Sequence, residues 1–186
     1  MYLYFCRCLS LPGCAISDDV LLILAPALVR IEMIHLGRNP ITSQGWEFFK
    51  NCFTDESSVG GEAKLQHLSI NLLTESGNTA SGSVKYIHPV GMEHLSHVLP
   101  YLEEVDLSGQ SEVGPEGWAH LAAGLTTAHE RGKAINLRLL KLEGCKIREE
   151  TRMMLEDAVS KNQPSMRVDF GRLDEVDNGK KGVCCF

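Results

Sequence analysis

Apolar residues recur along the chain at i, i+3 and i+5, followed by Cys or Asn at i+8 and an aliphatic residue at i+10. Cys6, Leu9, Leu11, Cys14 and Ile16 fit this spacing, as do Ile31, Ile34, Leu36, Asn39 and Ile41, and again Leu137, Leu140, Leu142, Cys145 and Ile147. Looser copies run through Leu65, Leu68 and Ile70, with Leu73 at the i+8 place, and through Leu102, Val105 and Leu107, with Gln110 there. A second spacing follows each copy. Gly45 leads to Phe49 and Phe53, Gly91 to Leu95 and Leu99, and Gly117 to Leu121 and Leu125. Val20 with Leu24 and Leu28, and Thr151 with Leu155 and Val159, complete the set without the glycine. Steps of four and eight keep to one helical face, whereas the tighter alternation turns every second side chain of a short strand inward. The pattern therefore predicts strands at 8–11, 33–36, 67–70, 104–107 and 139–142, a sixth at 167–170, and a helix after each of the first five.

Such strand-turn-helix units resemble the leucine-rich-repeat family in its ribonuclease-inhibitor-like subtype. The resemblance is carried by Leu102-Glu-Glu-Val-Asp-Leu-Ser-Gly109, by Gly114-Pro-Glu-Gly-Trp-Ala-His-Leu-Ala-Ala-Gly-Leu125, and by Leu137-Arg-Leu-Leu-Lys-Leu-Glu-Gly-Cys-Lys-Ile147. It implies an α/β solenoid of about five to six repeats, with a curved parallel sheet inside and helices outside. It also implies that Cys14, Asn39 and Cys145 are buried against turn backbone, where an amide satisfies peptide groups and a thiol fills space.

The units start at residues 6, 31, 65, 102 and 137. Beyond the first interval they are longer than the roughly 28 residues usual for this subtype. The surplus falls in polar stretches at 54–64, 74–89 and 126–134, expected on the rim or the convex side, where contacts vary. The first unit begins without a polar cap, which solenoids usually need. Either residues 1–5 supply one or, the favoured expectation, the chain is a piece of a longer array. Residues 1–170 are thus expected to form the repeat domain, and the charged, glycine-rich 171–186 a disordered tail.

Charge and composition narrow the function. With 18 Lys and Arg against 24 Asp and Glu, the net charge of −6 gives no basic groove for nucleic acid. The longest apolar run, Val20 to Val29, is interrupted by Pro26 and too short to span a bilayer. Seven cysteines without a C-x-x-C pair suggest neither a disulfide framework nor a zinc ribbon, and fit an intracellular, cytoplasmic setting. Leu11-Pro12-Gly13-Cys14 superficially resembles a lipoprotein cleavage box, but Cys6, Arg7 and Cys8 leave no clean apolar stretch before it.

Between the inward positions lies a column expected to face the concave surface, formed by Ser10, His35, Ser69, Asp106, Lys141 and Asp169. Met33, Arg38, His67, Asn71, Glu104, Glu143 and Arg167 flank it, with an acidic patch at Glu104 and Asp106. The candidate partner-binding residues are His35, Arg38, His67, Ser69, Asn71, Glu104, Asp106, Lys141, Glu143, Arg167 and Asp169. Other candidates are weaker. His94 and His97 share a helix but lack a third ligand, so no metal is expected. Trp46, Trp118 and Cys52 sit at helix-packing positions. Neither a phosphate-binding loop nor a nucleophile elbow is present, so no catalytic residue and no cofactor is assigned. Cys184 and Cys185 follow Lys180 and Lys181 and are candidates for lipidation, the one expected route to a membrane; Val183 breaks the prenylation box.

These residues describe a non-enzymatic module that binds another protein through its concave face and inserted loops. The family resemblance leaves two alternatives. One is a GTPase-activating regulator of a small GTPase, with Arg38 and Asn39 at the strand-to-loop edge; the other is the recognition part of a ubiquitin-ligase adaptor.

Overall fold

The structure, a computed structural model, describes residues 6–54, 63–73, 86–130, 135–162 and 165–171. Strands and helices alternate: β1 (Cys8–Ser10), α1 (Asp18–Leu28), β2 (Met33–His35), α2 (Ser43–Thr54), β3 (His67–Ser69), α3 (Pro89–Ser96), β4 (Glu104–Asp106), α4 (Gly114–Glu130), β5 (Leu139–Lys141), α5 (Glu149–Asn162) and β6 (Arg167–Asp169). A 3-10 turn over Leu99–Tyr101 follows α3. The strands fall inside the segments predicted from the alternation. They form one six-stranded sheet in sequence order. Every pairing is parallel and unshifted, so Cys8, Met33, His67, Glu104, Leu139 and Arg167 stand side by side.

Period-two burial gives this sheet its two characters. The central residues Ile34, Leu68, Val105 and Leu140 are essentially inaccessible, while their strand neighbours are half-exposed. One face therefore packs on helices and the other is open. The helices touch in chain order, α1 on α2, α2 on α3, α3 on α4 and α4 on α5, so a layer of helices runs alongside the sheet. The core between the layers takes Phe49 from α2, Leu95 from α3, Leu121 and Leu125 from α4, and Leu155 from α5, as the four-residue spacing requires.

The repeated glycines explain how closely the helices approach. A Cβ on Gly45 would strike the Asp18 carboxylate at the head of α1, and one on Gly91 would lie 3.0 Å from Trp46 Cδ1 in α2. Gly117 would meet Met92 Cγ at 3.4 Å. Each glycine thus marks where a unit leans on its predecessor.

Helix α1 departs from the predicted phase. Its inner face is Leu21, Ala25 and Leu28, whereas Val20 is 40% exposed and Leu24 is only half-buried. Val20 occupies the glycine place, and among the described residues no helix precedes α1 to require a small side chain.

The i+8 residues knit neighbouring units together. Asn39 donates through Nδ2 to the carbonyls of Leu11 and Leu36, both at 2.8 Å, and accepts from Ile16 N at 3.0 Å. Gln110 does the same two units further on, between those of β3 and β4, donating to Ile70 O at 2.9 Å and accepting from Ile87 N at 3.0 Å. The Cys145 thiol reaches Leu107 O at 3.2 Å. Cys14 does not share this burial and is exposed, because among the described residues no strand lies beyond β1 to cover it.

Of the inserted stretches, 126–130 continues α4 instead of forming a loop; most of the other two, the tail from residue 172 and the lipidation candidates Cys184 and Cys185 lie outside the described residues. Among the described residues no helix is long and apolar enough to cross a membrane.

Candidate functional site

Two rows of side chains cross the open face of the sheet. One comprises Ser10, His35, Ser69, Asp106, Lys141 and Asp169; the other comprises Cys8, Met33, His67, Glu104, Leu139 and Arg167. Parallel pairing spaces neighbours within a row by about 4.8 Å, a separation fixed by backbone rather than by the side chains themselves. The rows hold eight of the eleven candidates: His35, His67, Ser69, Glu104, Asp106, Lys141, Arg167 and Asp169. Arg38, Asn71 and Glu143 sit just past the ends of β2, β3 and β5, on the same edge.

The middle of the face is an ion cluster. Lys141 Nζ donates to Glu104 Oε1, and His67 Nδ1 stands 3.5 Å from Glu104 Oε2. That second distance suits an ion pair better than a hydrogen bond, and the buried His67 Nδ1 makes no hydrogen bond among the described residues. The ammonium of Lys141 holds the Glu104 carboxyl below the usual carboxylate range, against the opposing pull of partial burial. Lys141 is raised in turn, chiefly by its bond to Glu104. The expected acidic patch is therefore half neutralised, since Glu104 already has a cation of its own.

Asp106 is also less free than its place on an open face suggests. It is half-buried, its Oδ1 accepts from Ser108 N at 2.9 Å and its Oδ2 from Asn71 Nδ2 at 3.1 Å. Asn71 Oδ1 accepts from Leu73 N at 2.7 Å, so one polar chain braces the edge beyond β3 and β4. Asp169 plays a similar part at the far end, accepting from Gly171 N at 3.0 Å, with Arg167 4.0 Å away.

Beside this braced edge lies a groove of about 350 Å³, lined by Ser10, His35, Arg38, Ser69, Asn71 and Asp106 among others. Its floor depends on Gly37, where any Cβ would collide with the carbonyl oxygen of Asn71. Arg38 adopts a left-handed backbone (φ 59°) and is exposed at the rim, with no ion pair among the described residues. The groove thus presents a guanidinium, an imidazole, two hydroxyls and a carboxylate around a space about the size of one or two side chains.

The weaker candidates fall elsewhere. His94 is half-buried on α3 and His97 is exposed at its end; no group of three metal-capable side chains assembles among the described residues. Trp46 and Trp118 are 2% and 3% exposed, in the helical core. Sequence reasoning missed the bridging role of Gln110, although its place eight residues into the unit was the available signal. It also missed that Asn71 and Asp106 hold each other, which no spacing announces. No protein-family model matches the chain, and no curated protein matches it.

Proposed function

We propose that the chain is a leucine-rich-repeat module of the ribonuclease-inhibitor-like subtype, a solenoid of five to six units that binds another protein across the open face of its sheet. The observation that carries this reading is the pair of in-register rows with the groove at their edge, a surface that the described residues do not use for their own packing. The face is mixed in charge. Arg38 and Asp106 share the groove beside β1 to β3, and Glu143, Asp169 and Arg167 lie toward β5 and β6 beyond the Lys141–Glu104 pair. A partner carrying both signs, placed against these positions, is favoured over one of a single charge.

The GTPase-activating alternative rests on Arg38 and Asn39. Both polar atoms of the Asn39 side chain are spent on backbone groups, which leaves Arg38 alone, so this reading is not favoured. The binding reading needs no cofactor and places the module inside the cell, in the cytoplasm.

The test is affinity capture with the intact chain, its His35→Glu/Glu143→Lys variant, and Met153→Lys on the helical side as control. Neither His35 nor Glu143 braces the sheet edge through its side chain, unlike Asp106, so the double change alters the surface and spares the fold. A protein retained by the parent and the control but lost with the double variant supports the proposal. Equal retention by all three refutes it, and stimulated single-turnover GTP hydrolysis by a small GTPase would favour the alternative.

A further inference from the structure

Of the five large apolar side chains exposed among the described residues, three lie on α1: Val20 at 40%, Leu22 at 50% and Ile23 at 76%. Val20, Ile23, Leu24 and Ala27 follow i, i+3, i+4 and i+7, a continuous stripe on one helical face. The flank is identified by its counterparts in the next unit. Gly45, Phe48, Phe49 and Cys52 of α2 are buried or half-buried, and Gly45 is the point where α2 leans on α1. Helix α1 presents the same flank to no described helix.

Two further features lie at this end. Arg7 O accepts from Met33 N and Leu11 N donates to His35 O, both at 2.9 Å, so these residues spend their backbone groups on β2. By alternation the peptide groups of Cys8 and Ser10 point to the open edge. Asp19 at the head of α1 and Arg30 just past its end are both exposed, and neither makes an ion pair among the described residues. They lie about 16 Å apart along the axis, one at each end of the apolar stripe.

The opposite end differs. On α5, Arg152 pairs with Glu156 at 3.0 Å and Lys161 with Asp157 at 2.7 Å, and the Arg152 guanidinium covers the Phe170 ring 4.6 Å from its centroid. That charged, self-paired surface is a poor mate for an apolar stripe, which disfavours head-to-tail stacking.

We infer that the α1–β1 end is a self-association surface whose occupant is a second copy of this chain, docked about a two-fold axis. An axis running through both layers sets α1 antiparallel to α1 of the other copy and β1 antiparallel to its β1. Stripe then meets stripe, and Asp19 of each copy comes opposite Arg30 of the other. The edge groups of Cys8 and Ser10 face the same residues across the axis. A parallel arrangement sets like charges together and leaves the strand edges apart. The symmetry closes at two copies. Two short helices and two three-residue edges bury less than a standard interface of about 1,600 Å², so dissociation in the micromolar range is expected.

The experiment is sedimentation velocity on the full chain under reducing conditions, from low to high micromolar concentration. The parent is expected to pass from monomer to dimer, and Ile23→Glu to remain monomeric with an unchanged circular dichroism spectrum. Asp19→Arg or Arg30→Glu alone should weaken association by about fivefold, and the two reversals combined should restore it. Rescue separates pairing between copies from damage within one. A parent that stays monomeric, as it would if residues 1–5 covered the stripe, overturns the inference. So do undiminished association of Ile23→Glu, a double reversal no better than either single one, or growth beyond two copies.

Discussion

Replacing Asn39 with alanine removes one side chain but orphans groups in two units. The Ile16 N–H and the Leu36 carbonyl are buried with it, and the Leu11 carbonyl is partly so. Asn39 itself is only 5% exposed, so bulk water does not reach the groups it leaves. An unsatisfied buried donor or acceptor costs about 1–3 kcal/mol. Two such groups, with the third partly rehydrated, put the loss at about 3 kcal/mol, a large part of a typical domain stability of about 5–15 kcal/mol. At a urea dependence of about 2 kcal/mol per molar, the midpoint should fall by about 1.5 M. Trp46 and Trp118 are both buried, on α2 and α4, so single-tryptophan versions can follow each region separately. The Trp46 transition should move first, since Asn39 ties α2's unit to the one before it. Asn39→Asp sharpens the test. Its carboxylate still accepts from Ile16 but faces two carbonyl oxygens where an amide donated, so at neutral pH it should be no more stable than the alanine variant, and acidification should narrow its deficit to the parent. A loss below about 1 kcal/mol for Asn39→Ala would refute the bridging argument.

Three further outcomes are expected. Leu107→Asp should cost several kcal/mol in urea titration, because Leu107 is 0% exposed. Asp106→Ala should cost about 1 kcal/mol for its bonds to Ser108 and Asn71, so equal midpoints for the two variants would contradict the assignment of faces. The Lys141–Glu104 pair is partly solvated, so Lys141→Met should cost only about 0.5–1 kcal/mol at neutral pH. Since the Glu104 carboxyl is lowered from 4.5, that difference should vanish as pH falls through its folded value; since Lys141 is raised from 10.5, it should vanish again as pH rises through that group's folded value. A difference that stays flat across both limits rules the pair out as its source. Burial pushes the Cys145 thiol up to about 12, whereas Cys8 and Cys14 are exposed. Pulsed alkylation read by mass spectrometry should therefore label Cys145 only on unfolding, and native labelling at the pace of Cys14 would show the burial to be wrong.

The strands and the core were legible because two periods, one near two residues and one near four, are written in apolar side chains and survive uneven loops. Leu68, Val105 and Leu140 could be placed on the buried face from spacing alone. The phase of α1 could not, since Val20 and Leu24 obey the same four-residue step as Leu121 and Leu125. What decides between them is whether another helix lies alongside, a fact of neighbourhood absent from any single unit. Cys14 failed for the same reason, at the same end. The rows of the open face were legible as rows. Their pairing was not, because it depends on which long side chains reach across 4.8 Å of sheet spacing: Lys141 finds Glu104, and Asn71 finds Asp106, residues that lie 37 and 35 positions apart in the chain.

The unshifted pairing of three-residue strands has an evolutionary corollary. Each strand devotes its central residue to packing and its outer two to the open face, so the outer positions change without disturbing the interior. Braced residues such as Asp106 resist that drift, while unbraced ones such as His35 and Ser69 are at liberty to vary. A lineage built on this sheet can rewrite the chemistry of its open face one side chain at a time, over a fixed lattice, without first surviving a loss of structure.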